Sequence, residues 1–273
     1  MNNNYKISTI CFGNKYIPII EKWKEKIIKK CNIEADILII DNLNLKKIIM
    51  DLNLNILNFN NYAWWDIIRL KKNLKFIEIY NKPIVHIDMD IIIEKDIKDI
   101  IDLPYDIIIS KEIGEDNAYP KEYSNKLGFG ICSGFYCLKT KSKKFMNNIL
   151  KNMEESNIYS DQYNIMKYLV DNNDKEIIYE KKLLDNKEYT NTIIKIDNIK
   201  ICVLDFNIII RDPIINNGQY ANHINIDNVG GTNNFLKYFN EDLEDLPLTC
   251  RCGKKYLNDY NICTHIKQRK NVI

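Results

Sequence analysis

The period of the apolar positions changes several times along the chain, and each change marks an element. Tyr5 to Phe12 is an apolar-rich run that stops at Gly13-Asn14 and reads as a first strand. From Pro18 to Lys30 the spacing is helical, with Ile19, Ile20, Trp23, Ile27 and Ile28 expected on one face. Ala35 to Ile40 is a second apolar strand, closed by Asp41. Such a β-α-β opening implies a largely parallel sheet with right-handed crossovers. Ligands of these sheets bind at the carboxyl ends of the strands, where Asn14, Tyr16, Asp41 and Asn42 fall.

Helical spacing returns at 63–80, where Ile67, Leu70, Leu74 and Ile77 form the stripe. Asp66 and Arg69 are i and i+3 and share a face near its start. As a surface ion pair they would contribute only about 0.3–0.5 kcal/mol. Asn81-Lys82-Pro83 ends the helix and feeds Ile84 to Ile93, an Ile/Val run that reads as a strand buried on both faces. Strands are also expected over 105–110, over the Gly-punctuated 128–139 and over 199–204. Helices are expected over 143–153 and 163–170, the second with Ser160 or Asp161 as its N-cap. The segment 218–234 is polar and carries His223 and the pair Gly230-Gly231.

The buried-looking run at 84–93 holds two acids, Asp88 and Asp90. On an extended chain positions i and i+2 project to one side. Two carboxylates in apolar surroundings are costly, and each raises the pKa of the other. A hard divalent cation between them offsets both penalties, because such ions take oxygen ligands. The plainer reading is that the two acids close a strand and open a turn.

Composition narrows the classes. The chain has 273 residues, enough for one sizeable core with a small appendage, and 45% hydrophobic and 28% charged residues are ordinary for a globular protein. A net charge of +2 offers no general argument for nucleic acid. No leader-like start and no apolar window of membrane length is present, so a soluble, cytoplasmic protein is expected, with no membrane partner. The eight Cys are then expected to be reduced and mostly buried.

In order along the chain, these parts resemble the GT-A glycosyltransferases that use nucleotide sugars through an Asp-x-Asp motif, glycogenin-like members among them. The resemblance spans about residues 5 to 235. It implies an α/β, Rossmann-like fold, with a mostly parallel central sheet flanked by helices, over residues 1–245, followed by a small tail at 246–273. Asp66 and Arg69 match the family's Asp-x-x-Arg helix, which contacts the nucleotide sugar. Ser133-Gly134-Phe135 is similar to its Asn-Ser-Gly strand, with Cys132 standing where Asn is usual. Asp161-Gln162 resembles the Asp-Gln element beside the transferred sugar and acceptor, and Asp161 is the candidate acceptor base.

The resemblance implies a metal held by Asp88, Asp90 and His223, Mn2+ or Mg2+, with the histidine favouring manganese. It also implies a UDP-sugar donor and a glycan or protein acceptor. Tyr16 has two readings, stacking on the base of the nucleotide or, more usual for a Tyr near a strand end, packing in the core. The family's Gly and Lys after the histidine have no match, and the backbone of Gly230 and Gly231 is the expected substitute on the diphosphate.

The tail resembles a two-Cys, two-His zinc finger, with Cys250, Cys252, Cys263 and His265 as candidate Zn2+ ligands. It departs from that pattern in the spacing of its first Cys pair and in having no second His. Two other activities fit Asp-x-Asp or the basic tail: a haloacid-dehalogenase-like phosphatase with Asp88 as nucleophile, and a non-catalytic binder of nucleotide sugar or nucleic acid.

Overall fold

A computed structural model describes residues 4–54, 63–112, 120–211, 220–224, 226, 232–239, 248–249 and 255–256. The elements run β1 (Lys6–Phe12), α1 (Ile17–Cys31), β2 (Ala35–Ile40), α2 (Leu45–Asp51), α3 (Trp64–Tyr80), β3 (Ile84–Ile87) and β4 (Ile91–Ile93). They continue with α4 (Lys98–Ile101), β5 (Ile107–Lys111), α5 (Lys121–Leu127), β6 (Ile131–Leu138), α6 (Lys143–Ser156) and α7 (Asp161–Asp171). The later elements are β7 (Glu176–Leu184), β8 (Lys187–Ile196), β9 (Ile199–Val203), β10 (Ile209–Arg211), β11 (Ala221–His223) and α8 (Thr232–Phe235).

One eight-stranded sheet, in the order β2-β1-β3-β6-β5-β9-β8-β7, forms the middle layer. The expected α/β class is what the chain adopts, with apolar clusters on both faces of this sheet. Parallel pairing joins β1 to β2, β1 to β3 and β5 to β9. β6 runs antiparallel between β3 and β5, and β7, β8 and β9 form an antiparallel meander. Asp185-Asn186 and Asp197-Asn198 make its two turns, and all four residues have positive φ, as two-residue hairpin loops of the primed type require. A separate three-stranded sheet, β10-β11-β4, stands beside the large one.

The helices bury their predicted stripes. In α1, Ile19, Ile20, Trp23 and Ile27 are buried, but Ile28 is 39% exposed. At about 100° per residue it has rotated off the edge of the stripe. In α3 the buried face is wider than the aliphatic stripe and takes in Asp66, Arg69, Lys72 and Asn73. The Asp66–Arg69 pair is therefore an interior feature, with side chains 9% and 4% exposed, and the surface estimate does not apply to it.

The run at 84–93 is also not one strand. It breaks at 88–90, where the Ile91 N–H donates to the Asp88 carbonyl at 3.0 Å, closing a tight turn between β3 and β4. β3 belongs to the large sheet and β4 to the small one, so Asp88 and Asp90 occupy the corner where the chain changes sheets.

Candidate active site

Topology assembles the site at the carboxyl end of β3. A crossover helix runs back along its sheet, so the start of α3 lies where β3 ends, and this brings Asp66 and Arg69 to Asp88. Because β6 is antiparallel to β3, its early residues border the same spot. Ile87 pairs with Phe135, and the Asp88 N–H donates to the Gly134 carbonyl at 2.7 Å. The β5–β6 register jumps from Ile109↔Tyr136 to Ser110↔Cys132. This bulge leaves Ser133, Gly134 and Phe135 without partners on β5; Ser133 and Gly134 border the site, and Phe135 packs into the core. β11 pairs with β4, His223 opposite Ile91, and the Ile224 N–H donates to the Asp90 carbonyl at 2.8 Å. That pairing carries His223 to the turn from far along the chain.

Two clusters meet at Asp88. The inner one is centred on Arg69. Its Nη2 donates to Asp161 Oδ1 and Oδ2 at 2.8 and 2.7 Å and to Ser133 Oγ at 3.0 Å. The same nitrogen lies 2.9 Å from Asp66 Oδ1, and Nη1 donates to Asp88 Oδ1 at 3.2 Å. Asp66 sits in the first turn of α3 and Asp161 is the first residue of α7, so both acids gain from helix N-termini. Ser160 caps α7, its side chain accepting from the Tyr163 N–H.

Burial alone would push Arg69 down, but Asp161, Asp66 and Asp88 around it hold it well above the usual range. Asp66 goes the other way from most paired acids: its burial raises it well above the carboxylate range, and Arg69 offsets this only in part.

His86 joins this cluster, although the sequence reading passed over it. It is fully buried, and its Nε2 lies 2.7 Å from Asp88 Oδ1. Burial pushes its pKa down, and Nε2 faces the carboxylate, to which an N–H on that nitrogen would donate. For Asp88, burial is outweighed by the His86 hydrogen bond and the Arg69 charge, and its carboxyl is held at about 2. The position of His86 two residues before Asp88 in an apolar strand was the available signal. Tyr136 packs on the His86 ring at 5.1 Å and accepts from Asn73 Nδ2 at 2.8 Å.

The outer cluster is Asp88, Asp90 and His223, each offering a ligand atom within 4.8 Å of the others. That spread suits one ion with ligands at about 2.0–2.6 Å. His223 Nε2 lies 3.2 Å from Asp90 Oδ1. Burial would push His223 down, but Asp90 and Cys132 hold it well above the ordinary histidine range. Gly134 forms one wall. A Cβ there would lie 2.9 Å from Asp88 Oδ2 and 3.0 Å from His223 Cε1, so the space between these groups exists only because residue 134 has no side chain. With Asp88 Oδ1 taken by Arg69 and His86, Oδ2 is the oxygen that borders this space. The donor set, two carboxylates and an imidazole, fits a divalent ion of the manganese type.

The remaining expected residues fall as follows. Tyr16 packs against the cluster of Ile19, Ile92, Ile224 and Phe235, beside the segments that carry Asp90 and His223. Asp41 binds the N–H groups of Leu43 and Asn44 at the entry to α2, a local structural task. Gln162 is half-buried at the start of α7. Gly230, Gly231, Cys250, Cys252, Cys263 and His265 lie outside the described residues. The five cysteines within them are free and buried, as expected for reduced thiols. Among the described residues no helix is long and apolar enough to cross a membrane.

No family model matches the chain, and no curated protein matches it by sequence. Among solved structures it is similar to a glycosyltransferase involved in glycosylation of the major capsid of PBCV-1, with 14% identity over 61% of this chain and 76% of the other and a TM-score of 0.43. It is also similar to mouse xyloside xylosyltransferase 1, at 9% identity over 76% of this chain and 87% of the other, with a TM-score of 0.43. A third is the galactosyltransferase LgtC bound to donor and acceptor sugar analogues, at 15% identity over 77% and 76% of the two chains, with a TM-score of 0.41. Likeness this distant concerns fold alone, and the chemistry has to be argued from the side chains.

Proposed function

We propose that this chain is a metal-dependent glycosyltransferase that moves a sugar from a nucleotide sugar, a UDP-sugar on the sequence resemblance, to a glycan or protein acceptor. The observation that carries the reading is the convergence of Asp88, Asp90 and His223 at a strand end backed by Arg69. Asp90, His223 and Asp88 Oδ2 would hold the ion. When bound, Mn2+ or Mg2+ supplies positive charge that stabilises a nucleoside diphosphate leaving group.

The chain's own groups prepare the site. Arg69 and His86 fix one oxygen of Asp88 and so leave the other for the ion. Asp161 has both oxygens on Arg69, and Oδ1 also accepts the Gln162 N–H at 2.7 Å. It is fully buried. We therefore assign it to holding Arg69 rather than to taking a proton from the acceptor. Ser133 and Gly134 line the bulge between the two clusters, Gln162 stands next to Asp161, and Tyr16 and the backbone at Gly230 and Gly231 are the proposed contacts to base and diphosphate.

The test is release of nucleoside diphosphate from a panel of UDP- and GDP-sugars with Mn2+ present. Release from one of them, lost in Asp90→Asn, is expected. Phosphate release from phosphomonoesters, with none from any nucleotide sugar, would favour the phosphatase instead.

A further inference from the structure

Cys132 is the residue at which the chain leaves the family's Asn-Ser-Gly pattern, and the bulge in β6 gives it a partner. Its Sγ lies 3.5 Å from His223 Nδ1, and it is 5% exposed, so little water competes for either group. Its backbone is pinned as well, because the Cys132 carbonyl accepts the Ser110 hydroxyl at 2.8 Å. An imidazole can offer a lone pair at Nε2 only if Nδ1 carries the hydrogen, and a buried Nδ1–H needs an acceptor. The sulfur is placed to be that acceptor, on the far side of the ring from Asp90.

We infer that Cys132 is a positioning residue for the metal site: its sulfur accepts Nδ1–H of His223 and thereby aims the Nε2 lone pair at the space shared with Asp88 and Asp90. This rests on the proposed metal-binding reading. Partners behind a ligating histidine set ring orientation and tautomer, and their loss commonly weakens metal binding by about 10- to 100-fold. Sulfur is a weak acceptor, so a change near the lower end, about tenfold, is expected for Cys132.

The experiment is Mn2+ titration of the full chain, followed by electron paramagnetic resonance of the unbound ion. Wild type, Cys132→Ala, Cys132→Ser and Asp90→Asn are compared, with circular dichroism to confirm folding. Cys132→Ala should bind Mn2+ about tenfold more weakly. Cys132→Ser, whose hydroxyl restores an acceptor, should recover most of the loss. The inference is overturned if Cys132→Ala binds as tightly as wild type, or if the two variants lose affinity equally, since packing and not the acceptor would then matter. Should Cys132→Ala fail to fold, the serine variant alone decides, near-wild-type affinity supporting the inference and a tenfold loss or more opposing it. If wild type binds Mn2+ and only Asp90→Asn loses it, the metal reading stands and the role of Cys132 falls. If wild type binds none, both fall.

Discussion

The two clusters that share Asp88 are built on opposite plans. Around Arg69 the partners are supplied from within: Asp66, Asp161, Ser133 and one oxygen of Asp88 meet a single guanidinium, and all of these but Asp88 are buried. Around Asp90 and His223 the protein brings acceptors together and keeps a gap beside Gly134, with Asp88 Oδ2 on its edge. The first arrangement costs desolvation and gains rigidity; the second is the one that the proposed ion would complete. The contrast separates positioning from binding within a few ångströms.

Breaking the closed cluster should have the largest effect on folding. Arg69→Met leaves Asp66 and Asp161 buried without their countercharge, and a loss of about 3–5 kcal/mol is expected from chemical denaturation. Arg69→Lys should rescue little, because one ammonium cannot reproduce the forked contacts.

Breaking the open cluster should do the reverse. Without metal, Asp90→Asn should cost only the part of the stability that the Asp90–His223 pair supplies, and it should abolish the stabilisation by Mn2+. For wild type that stabilisation is about 2.7 kcal/mol at a hundredfold excess over Kd, and thermal shifts with and without the ion would measure it.

Gly134→Ala probes the wall between them. The added methyl must displace Asp88 Oδ2 or the His223 ring, and the expected cost is about 1–3 kcal/mol of stability together with weaker Mn2+ binding. Equal Mn2+ affinity in this variant would show that the gap is not the binding space.

The smallest effect concerns acid. Asp88 has a folded value of about 2, below the ordinary carboxylate range, so its stabilising contribution is present above about pH 4 and is lost as pH falls through about 2. Asp66, raised by burial, has the opposite sign: its ionised form opposes folding, and that penalty is relieved as pH falls through its raised value. Denaturation midpoints between pH 5 and 2 should fall more steeply for wild type than for Asp88→Asn.

Local pattern made much of the fold legible. The β1-α1-β2 opening, α3, α6 and α7 follow from apolar period and capping, as Ser160 at α7 illustrates. Asp88, Asp90 and His223 were legible as a set only through the order of motifs, since no local rule links a histidine to acids more than a hundred residues away. The turn at 88–90 was the plainer reading of the two acids, but the change of sheet was hidden, because an Ile-rich run looks the same whether it stays in one sheet or changes sheets. The β7–β8 hairpin went unread although Asp185-Asn186 between two strand-like runs is a turn signal. Cys132 showed only as a departure from the Asn-Ser-Gly resemblance, and its partner was not legible, because its meeting with His223 depends on a register shift between β5 and β6.

The most direct measurement is calorimetric titration of UDP into the protein with and without Mn2+, in wild type and in His223→Ala. The account predicts one ion per chain and nucleotide binding that needs the ion, with both lost in the variant. Nucleotide binding equally well without metal, or a bound ion indifferent to His223 and Asp90, would contradict it.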